Sequence, residues 1–184
     1  MKNTILVFSF LLFSTFYLYG QKYVLKNEKI IYSFQTNKGK IMTLCSDKNG
    51  EYIIYRFGTK NNIELEYPNH KDKSSWNTFE YSYWLRGGGI ENEGIDLNYV
   101  AFTIDKNKYV IYNTYFANGE KYATGIKIIN LLNKKVVNIA GNYKTIKGTL
   151  IDFRFDKSIK EGEELYDSKQ WNYNFEDVNP LFII

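Results

Sequence analysis

Apolar and polar side chains alternate at every second position over most of the chain after residue 21. A period of two is typical of antiparallel β-strands that have one buried and one solvated face. Short groups of Asn, Asp and Gly separate the alternating runs, as expected for tight turns. The pattern predicts an all-β, antiparallel fold of about ten strands, arranged as a sandwich or a closed barrel. The alternating runs are 23–26, 29–36, 40–46, 52–58, 63–67, 78–86, 95–104, 108–116, 124–130, 136–140, 143–146 and 149–155.

The runs on either side of the loop 58–62 predict the best-defined hairpin. When Phe57 is placed opposite Ile63, the apolar side chains of both strands fall on one inner face. Arg56 then faces Glu64 on the outer face. Because a slip by one residue would turn the charges inward, we expect burial to fix this register. A bulge is also predicted in the run 95–104, where the apolar positions change from odd to even numbers.

Residues 1–20 have the layout of a secretory signal peptide. Lys2 precedes an uncharged, mostly apolar run of about 15 residues, and Gly20 supplies a small residue at its exit. A run of this length is short for a membrane-spanning helix. An uncleaved anchor or a buried strand is the alternative. We expect cleavage after Gly20 and export to the periplasm or the extracellular space, with no membrane association after cleavage.

Residues 21–184 predict a single β domain with an irregular, acidic tail from about residue 158. The abundance of β-branched and aromatic residues suits a pleated sheet. The net charge of +4 is small, and the basic residues are nearly all Lys spread singly along the chain. Nucleic-acid-binding domains normally gather basic residues on one face, so we expect no nucleic-acid partner.

Few side chains along the chain can carry catalysis or bind a metal. Cys45 is the single cysteine and lies in an apolar strand pattern, which favours a buried small hydrophobe over a nucleophile. His70 is the single histidine and lies in a polar loop. The glycines at 87–89 precede no predicted helix, so they indicate a hairpin turn and not a phosphate-binding loop. We therefore expect no metal site and no cofactor.

Acidic residues at alternate strand positions are candidate catalytic groups. Glu64 and Glu66 lie on the same strand face, roughly 7 Å apart by the rise of a strand. With Glu80 or Asp96 nearby, they would form the carboxylate pair that glycoside hydrolysis requires. The alternative is an ordinary solvated strand face on which Arg56 neutralises one of the carboxylates. Whether the protein is an enzyme stays open, and the structural interpretation is preferred.

An aromatic side chain on a polar strand face is a candidate contact for a binding partner. Trp84 falls on the same strand face as Arg86 in the run 78–86. An exposed Trp beside an Arg is a common anchor for a protein partner or a sugar ring. The alternative is that a second sheet covers this face and makes Trp84 part of the core. Arg56, Glu66, Trp84 and Arg86 are the predicted contact residues.

Three segments carry a resemblance to known proteins. The stretches YRFG at 55–58, IELEYP at 63–68 and FEYSYWLR at 79–86 resemble a pattern of exported bacterial proteins without an established activity. This resemblance implies export and a β domain. The chain is also faintly similar to small periplasmic β-barrel inhibitors of lysozyme, which are usually shorter and disulfide-bonded.

The favoured function is that of an exported, non-enzymatic binding protein that engages a protein or a glycan. An inhibitor of a secreted enzyme, or an immunity protein, is one version of it. The alternative is a secreted hydrolase that acts on polysaccharide through paired carboxylates. A purely structural exported protein is a third interpretation, and the oligomeric state is not predicted.

Overall fold

The computed structural model describes residues 23–163. The predicted signal peptide and all of the acidic tail beyond Glu163 therefore lie outside the described residues. Between residues 23 and 163, no helix has the length and apolar character needed to cross a membrane.

In the described part of the chain, ten strands form one mixed sheet in the order β10-β5-β6-β7-β8-β9-β1-β2-β3-β4. Every neighbouring pair is antiparallel except β10 and β5, which are parallel. The predicted all-β class is confirmed. The predicted two-sheet sandwich or closed barrel is wrong, because all the strands share one sheet and its two ends are not joined by hydrogen bonds. The strands are β1 (Glu28–Thr36), β2 (Ile41–Asp47), β3 (Ile53–Thr59), β4 (Asn62–Tyr67), β5 (Glu80–Arg86), β6 (Ile95–Ile104), β7 (Asn107–Phe116), β8 (Lys121–Asn130), β9 (Val136–Gly148) and β10 (Lys160–Glu161).

The sheet curves until its two ends meet through aromatic side chains. The ring of Tyr67 on β4 stacks on Phe102 of β6 at 4.8 Å between centroids, and it meets the edge of Phe79 at 5.7 Å. We call Tyr67, Phe79 and Phe102 the aromatic seam. A 3-10 turn, Lys73–Thr78, connects β4 to β5 and is held to the sheet because the backbone N–H of Ile53 donates to the Ser75 hydroxyl.

The core lies mainly on the concave face, where alternate residues of most strands meet. A second buried cluster lies on the opposite face of β6, β7 and β8 and includes Leu97 and Tyr112. Both faces of β6 are therefore buried, which explains why its apolar positions change from odd to even. The pairing of β6 runs without a shift through Tyr99 and Val100, so the predicted bulge is wrong. The concave cluster includes Tyr32, Phe34, Leu44, Ile53, Tyr55, Phe79, Tyr81, Val100, Phe102, Ile111 and Ile126.

The hairpin of β3 and β4 differs from its predicted register by two residues. Phe57 lies opposite Leu65, and Arg56 lies opposite Glu66 where Glu64 was expected. A bulge at Gly58 absorbs the difference. Because the shift is an even number, every side chain keeps its predicted face.

Four predicted strands take another form. The run 149–155 contains a 3-10 turn, Ile151–Arg154, and residues 23–26 are not a strand. The runs 136–140 and 143–146 belong to the single strand β9, whose pairing with β1 is interrupted between them. After β9, the described residues contain the 3-10 turn and the short strand β10.

Candidate binding site

Two of the predicted contact residues, Arg56 and Glu66, lie in a buried ion cluster on the outer face of β3 and β4. The guanidinium of Arg56 donates to both carboxylate oxygens of Glu28, at 2.7 and 2.8 Å, and its Nε donates to Glu66 at 2.6 Å. It also donates to the backbone carbonyl of Tyr23 at 2.8 Å. Arg56 is 1% exposed, so it is not available to a partner in this conformation. Its contacts instead hold the segment 23–28 against β3.

The charges of this ion cluster are mutually stabilised. Burial alone would raise the pKa of the Glu28 carboxyl, but the hydrogen bonds from Arg56 and from the Leu25 amide lower it below its usual value. The pKa of Glu66 is lowered in the same way by Arg56 and Lys71. The pKa of Arg56 is raised despite burial, because two carboxylates accept its hydrogen bonds. A carboxyl with a lowered pKa is poorly suited to act as a general acid near neutral pH.

The other carboxylates considered for hydrolysis are also engaged: Asp96 accepts from Arg154, and the remaining two accept from lysines. Glu64 accepts a hydrogen bond from Lys40 at 2.5 Å, and Glu80 from Lys108 at 3.4 Å. These ion pairs favour the interpretation of the acidic residues as structural and surface groups. In the part of the chain that the structure describes, no group of three His, Cys, Asp or Glu side chains could hold a metal ion.

The other two predicted contact residues, Trp84 and Arg86, lie in the C-terminal half of β5. Trp84 is 37% exposed, and Arg86 donates to the backbone carbonyl of Glu93 at 2.7 Å across the hairpin that links β5 to β6. Arg86 also lies 3.2 Å from the Glu93 carboxylate. The structure thus divides the four predicted residues into two pairs. Arg56, which is buried, and Glu66, which is partly exposed, form an ion pair on β3 and β4, and the more exposed Trp84 and Arg86 lie on β5.

A groove of about 800 Å³ runs along β5, and we call it the β5 groove. Its lining comes from three segments: residues 81–85 of β5, Phe153 and Arg154 of the second 3-10 turn, and residues 156–157 and 159–162 around β10. Tyr83 and Leu85 stand on its β5 side and are 47% and 54% exposed. They follow Phe79 and Tyr81 on the same strand face, where the concave core ends and polar groups replace apolar ones.

Arg154 is the central charged group of this groove. Its guanidinium lies over the ring of Tyr83, 4.9 Å from the centroid, in a cation–π contact. One terminal nitrogen donates to Asp96 and, at 2.8 Å, to the amide oxygen of Asn98. The Tyr81 hydroxyl donates to the same Asn98 oxygen at 2.7 Å. These contacts hold the planar guanidinium in one orientation.

The Nε of Arg154 is buried and has no hydrogen-bond partner among residues 23–163. The side chain is only 9% exposed although it lines the groove. Burial would lower the pKa of the guanidinium, but Tyr81 and Asp96 raise it above its usual value, so it stays charged. Because a buried, unsatisfied donor costs free energy, an acceptor supplied by a ligand would be favourable here.

Sequence reasoning missed Arg154 as a site residue because it placed Arg154 in a strand. A signal was present in β6, where Asp96 and Asn98 are polar at positions that continue the apolar row of Val100 and Phe102. Cys45 is buried, as predicted, and burial raises the pKa of its thiol to about 12. A thiol with this pKa is a poor nucleophile at neutral pH.

Comparisons with protein-family models, curated proteins and solved structures found no match. The two resemblances noted in the sequence therefore stay predictions.

Proposed function

We propose that this chain is an exported, non-enzymatic binding protein that engages a protein or a glycan in the β5 groove. Export is inferred from the charge and apolar pattern of residues 1–20. An inhibitor of a secreted enzyme, or an immunity protein, remains one version of this function. Of the contact residues predicted from the sequence, Trp84 lines the groove, and Arg86 lies beyond its lining on β5. The proposed contact residues are Trp84, Tyr83 and Arg154, with Arg86 at the end of the same strand.

One observation carries the proposal: Arg154 is charged, fixed and nearly buried in the groove, yet its Nε has no acceptor among the described residues. A buried arginine with a purely structural role normally has a hydrogen-bond acceptor for each of its N–H donors. The groove volume lies within the range of small-ligand sites and of pockets that take one anchoring side chain. Exposed aromatic rings beside a fixed Arg are typical of such contact surfaces.

The exposed tyrosines allow a matched test of the proposal. The probes are an array of soluble oligosaccharides and an array of nine-residue peptides, with binding measured for the full-length mature chain. Tyr83→Ala removes a ring from the groove and should weaken binding by about tenfold or more, as for other aromatic anchors. Tyr122 on β8 is equally exposed, at 48%, and does not line the groove. Tyr122→Ala should leave binding unchanged.

Two results would contradict the proposal. One is a lack of binding on both arrays at millimolar ligand. The other is an equal loss of binding in the two tyrosine variants, which would place the contact surface outside the β5 groove. Thermal unfolding of both variants provides the control for folding, since neither ring belongs to the buried core.

A further inference from the structure

We propose that the ligand of the β5 groove is an extended polypeptide, which adds to the sheet as a further strand on the outer edge of β5. This inference rests on the proposed function and narrows its ligand from a protein or glycan to a peptide backbone. Three features of the molecule support it: the direction of the β5 backbone groups, the short length of β10, and the contrast between the two edges of the sheet.

The backbone of β5 shows which of its groups point outward. The N–H of Gly162 donates to the carbonyl of Tyr81 at 2.8 Å, so the Tyr81 carbonyl points away from β6. Successive residues of a strand direct their N–H and C=O groups to opposite sides. The N–H and C=O groups of Tyr83 and Leu85 therefore point to the same outer edge, while those of Trp84 pair with β6.

The strand β10 shows that this edge accepts another chain segment. It pairs only with Glu80 and Tyr81, in a parallel orientation. Within residues 23–163, no strand continues this ladder to Tyr83 and Leu85. A ligand strand that pairs there would extend an existing edge interaction into the β5 groove.

The two edges of the sheet differ in how they are protected. On β4, Glu64 and Glu66 form ion pairs with Lys40 and Lys71, and charged side chains of this kind oppose pairing with another strand. On β5, the outward-pointing residues are instead Tyr83 and Leu85, an exposed aromatic and an exposed aliphatic side chain. An edge whose side chains are apolar, and whose backbone pairs with no strand among residues 23–163, is the kind of surface that peptide ligands use for strand addition.

A peptide also satisfies Arg154 better than a sugar does. A peptide offers a carbonyl acceptor at every residue, with a repeat that matches the alternate N–H and C=O groups of an edge strand. Because the N–H bonds of a guanidinium lie in its plane, a carbonyl or an acidic side chain that reaches the edge of the Arg154 guanidinium would accept from Nε. We therefore expect bound peptides to contain alternate apolar residues and one Asp or Glu.

The test separates main-chain pairing from side-chain contact at one position. Leu85→Pro removes the outward N–H and leaves the residues that pair with β6 unchanged, because proline is tolerated on an exposed edge. Leu85→Ala keeps the N–H and is the matched control. With the tightest peptide from the array as probe, Leu85→Pro should weaken binding by about tenfold or more, and clearly more than Leu85→Ala does.

Amide exchange in the unmodified protein gives a second measurement that does not depend on a variant. Binding of the same peptide should slow exchange at the amides of Tyr83 and Leu85, because both become hydrogen-bonded. Equal effects of the two Leu85 substitutions together with unchanged exchange at these amides would overturn strand addition. Binding of an oligosaccharide that Tyr83→Ala weakens, and no peptide binding, would overturn the peptide and leave the proposed function standing.

Two other occupants of the edge would also overturn the proposal. A synthetic peptide of residues 164–184 that displaces the array peptide would make this chain's own segment the occupant. Dimerisation in size-exclusion chromatography that Leu85→Pro abolishes would make a second copy the occupant. Failure of both arrays to bind would overturn this inference and the proposed function together.

Discussion

At the scale of single residues, the buried pair of Glu28 and Arg56 has the largest consequence for stability. Both side chains are almost without solvent contact, and each oxygen of Glu28 accepts from the guanidinium. The Tyr52 hydroxyl and the Leu25 amide add hydrogen bonds to the same carboxylate. Removing one member of such a pair leaves a buried charge without compensation.

We predict that Glu28→Gln lowers the free energy of unfolding by about 3 kcal/mol. Glu64→Gln is the control, because the pair of Glu64 and Lys40 is more than a third exposed and should contribute no more than about 1 kcal/mol. Urea unfolding at neutral pH measures both. Similar losses in the two variants would show that burial of the pair contributes nothing.

The same carboxylate should make stability depend on pH. Folding lowers the pKa of Glu28 and Glu66 from their ordinary value of 4.5, so the folded state binds fewer protons. Their contribution is therefore present above pH 4.5 and is lost as the pH falls below it. The Glu28→Gln variant should show a shallower loss of stability in acid than the unmodified protein.

The sequence indicated which face each of these side chains occupies, but not what covers that face. Alternation placed Arg56 on the outer face of β3, and the structure confirms that placement. It could not show that the segment 23–28 lies across this face and buries the guanidinium. Arg154 escaped detection for a similar reason, since its neighbours Asp96 and Asn98 are distant in sequence.

At the scale of elements, Gly148 shows how a backbone position fixes the pairing of β1 and β9. Gly148 has φ +78, and a Cβ atom there would lie 2.0 Å from the carbonyl oxygen of Ile31. The irregular stretch of β9 ends next to it, where pairing with Tyr32 resumes. Only glycine combines this backbone conformation with so close an approach.

Gly148→Ala should therefore destabilise the protein considerably more than Gly39→Ala. Gly39 has a similar φ of +81, but no atom lies within 4 Å of a Cβ built on it. The control should lose about 1–2 kcal/mol from backbone strain alone. Denaturant unfolding of the two variants measures the difference, and equal losses would show that the strands separate to accommodate the methyl group.

Strand positions were predictable where alternation was unbroken, and less so where local hydrogen bonds compete with it. The limits of β6 agree with the prediction at both ends. The run 149–155 alternates equally well, yet the amide of Phe153 donates to the carbonyl of Leu150 in a 3-10 turn. The Thr149 hydroxyl accepts from the Ile151 amide and favours the same turn.

At the scale of the whole molecule, one open sheet takes the place of the predicted sandwich or barrel. Alternating strands of similar length fit all three arrangements, so the period of two could not decide among them. The choice depends on which distant strands pair, and here β1 pairs with β9 while β4 and β5 do not pair. The ends meet at the aromatic seam instead.

The rates of amide hydrogen exchange should differ between the β5 edge and the interior of the sheet. In the absence of ligand, the outward amides of Tyr83 and Leu85 should exchange quickly, because no strand covers them among the described residues. The amide of Ile111, in the central strand β7, should exchange only when the molecule unfolds globally. Equally slow exchange at all three positions, measured by NMR on the ligand-free protein, would contradict an uncovered β5 edge.

The aromatic seam also gives the molecule an unequal response to cold. Contacts between apolar rings lose strength as water is cooled. The backbone ladders that join neighbouring strands do not depend on that force to the same degree. Near freezing, the contact between Tyr67 and Phe79 should therefore break first, so that the two ends of the curved sheet separate. The hydrogen bonds between neighbouring strands should persist.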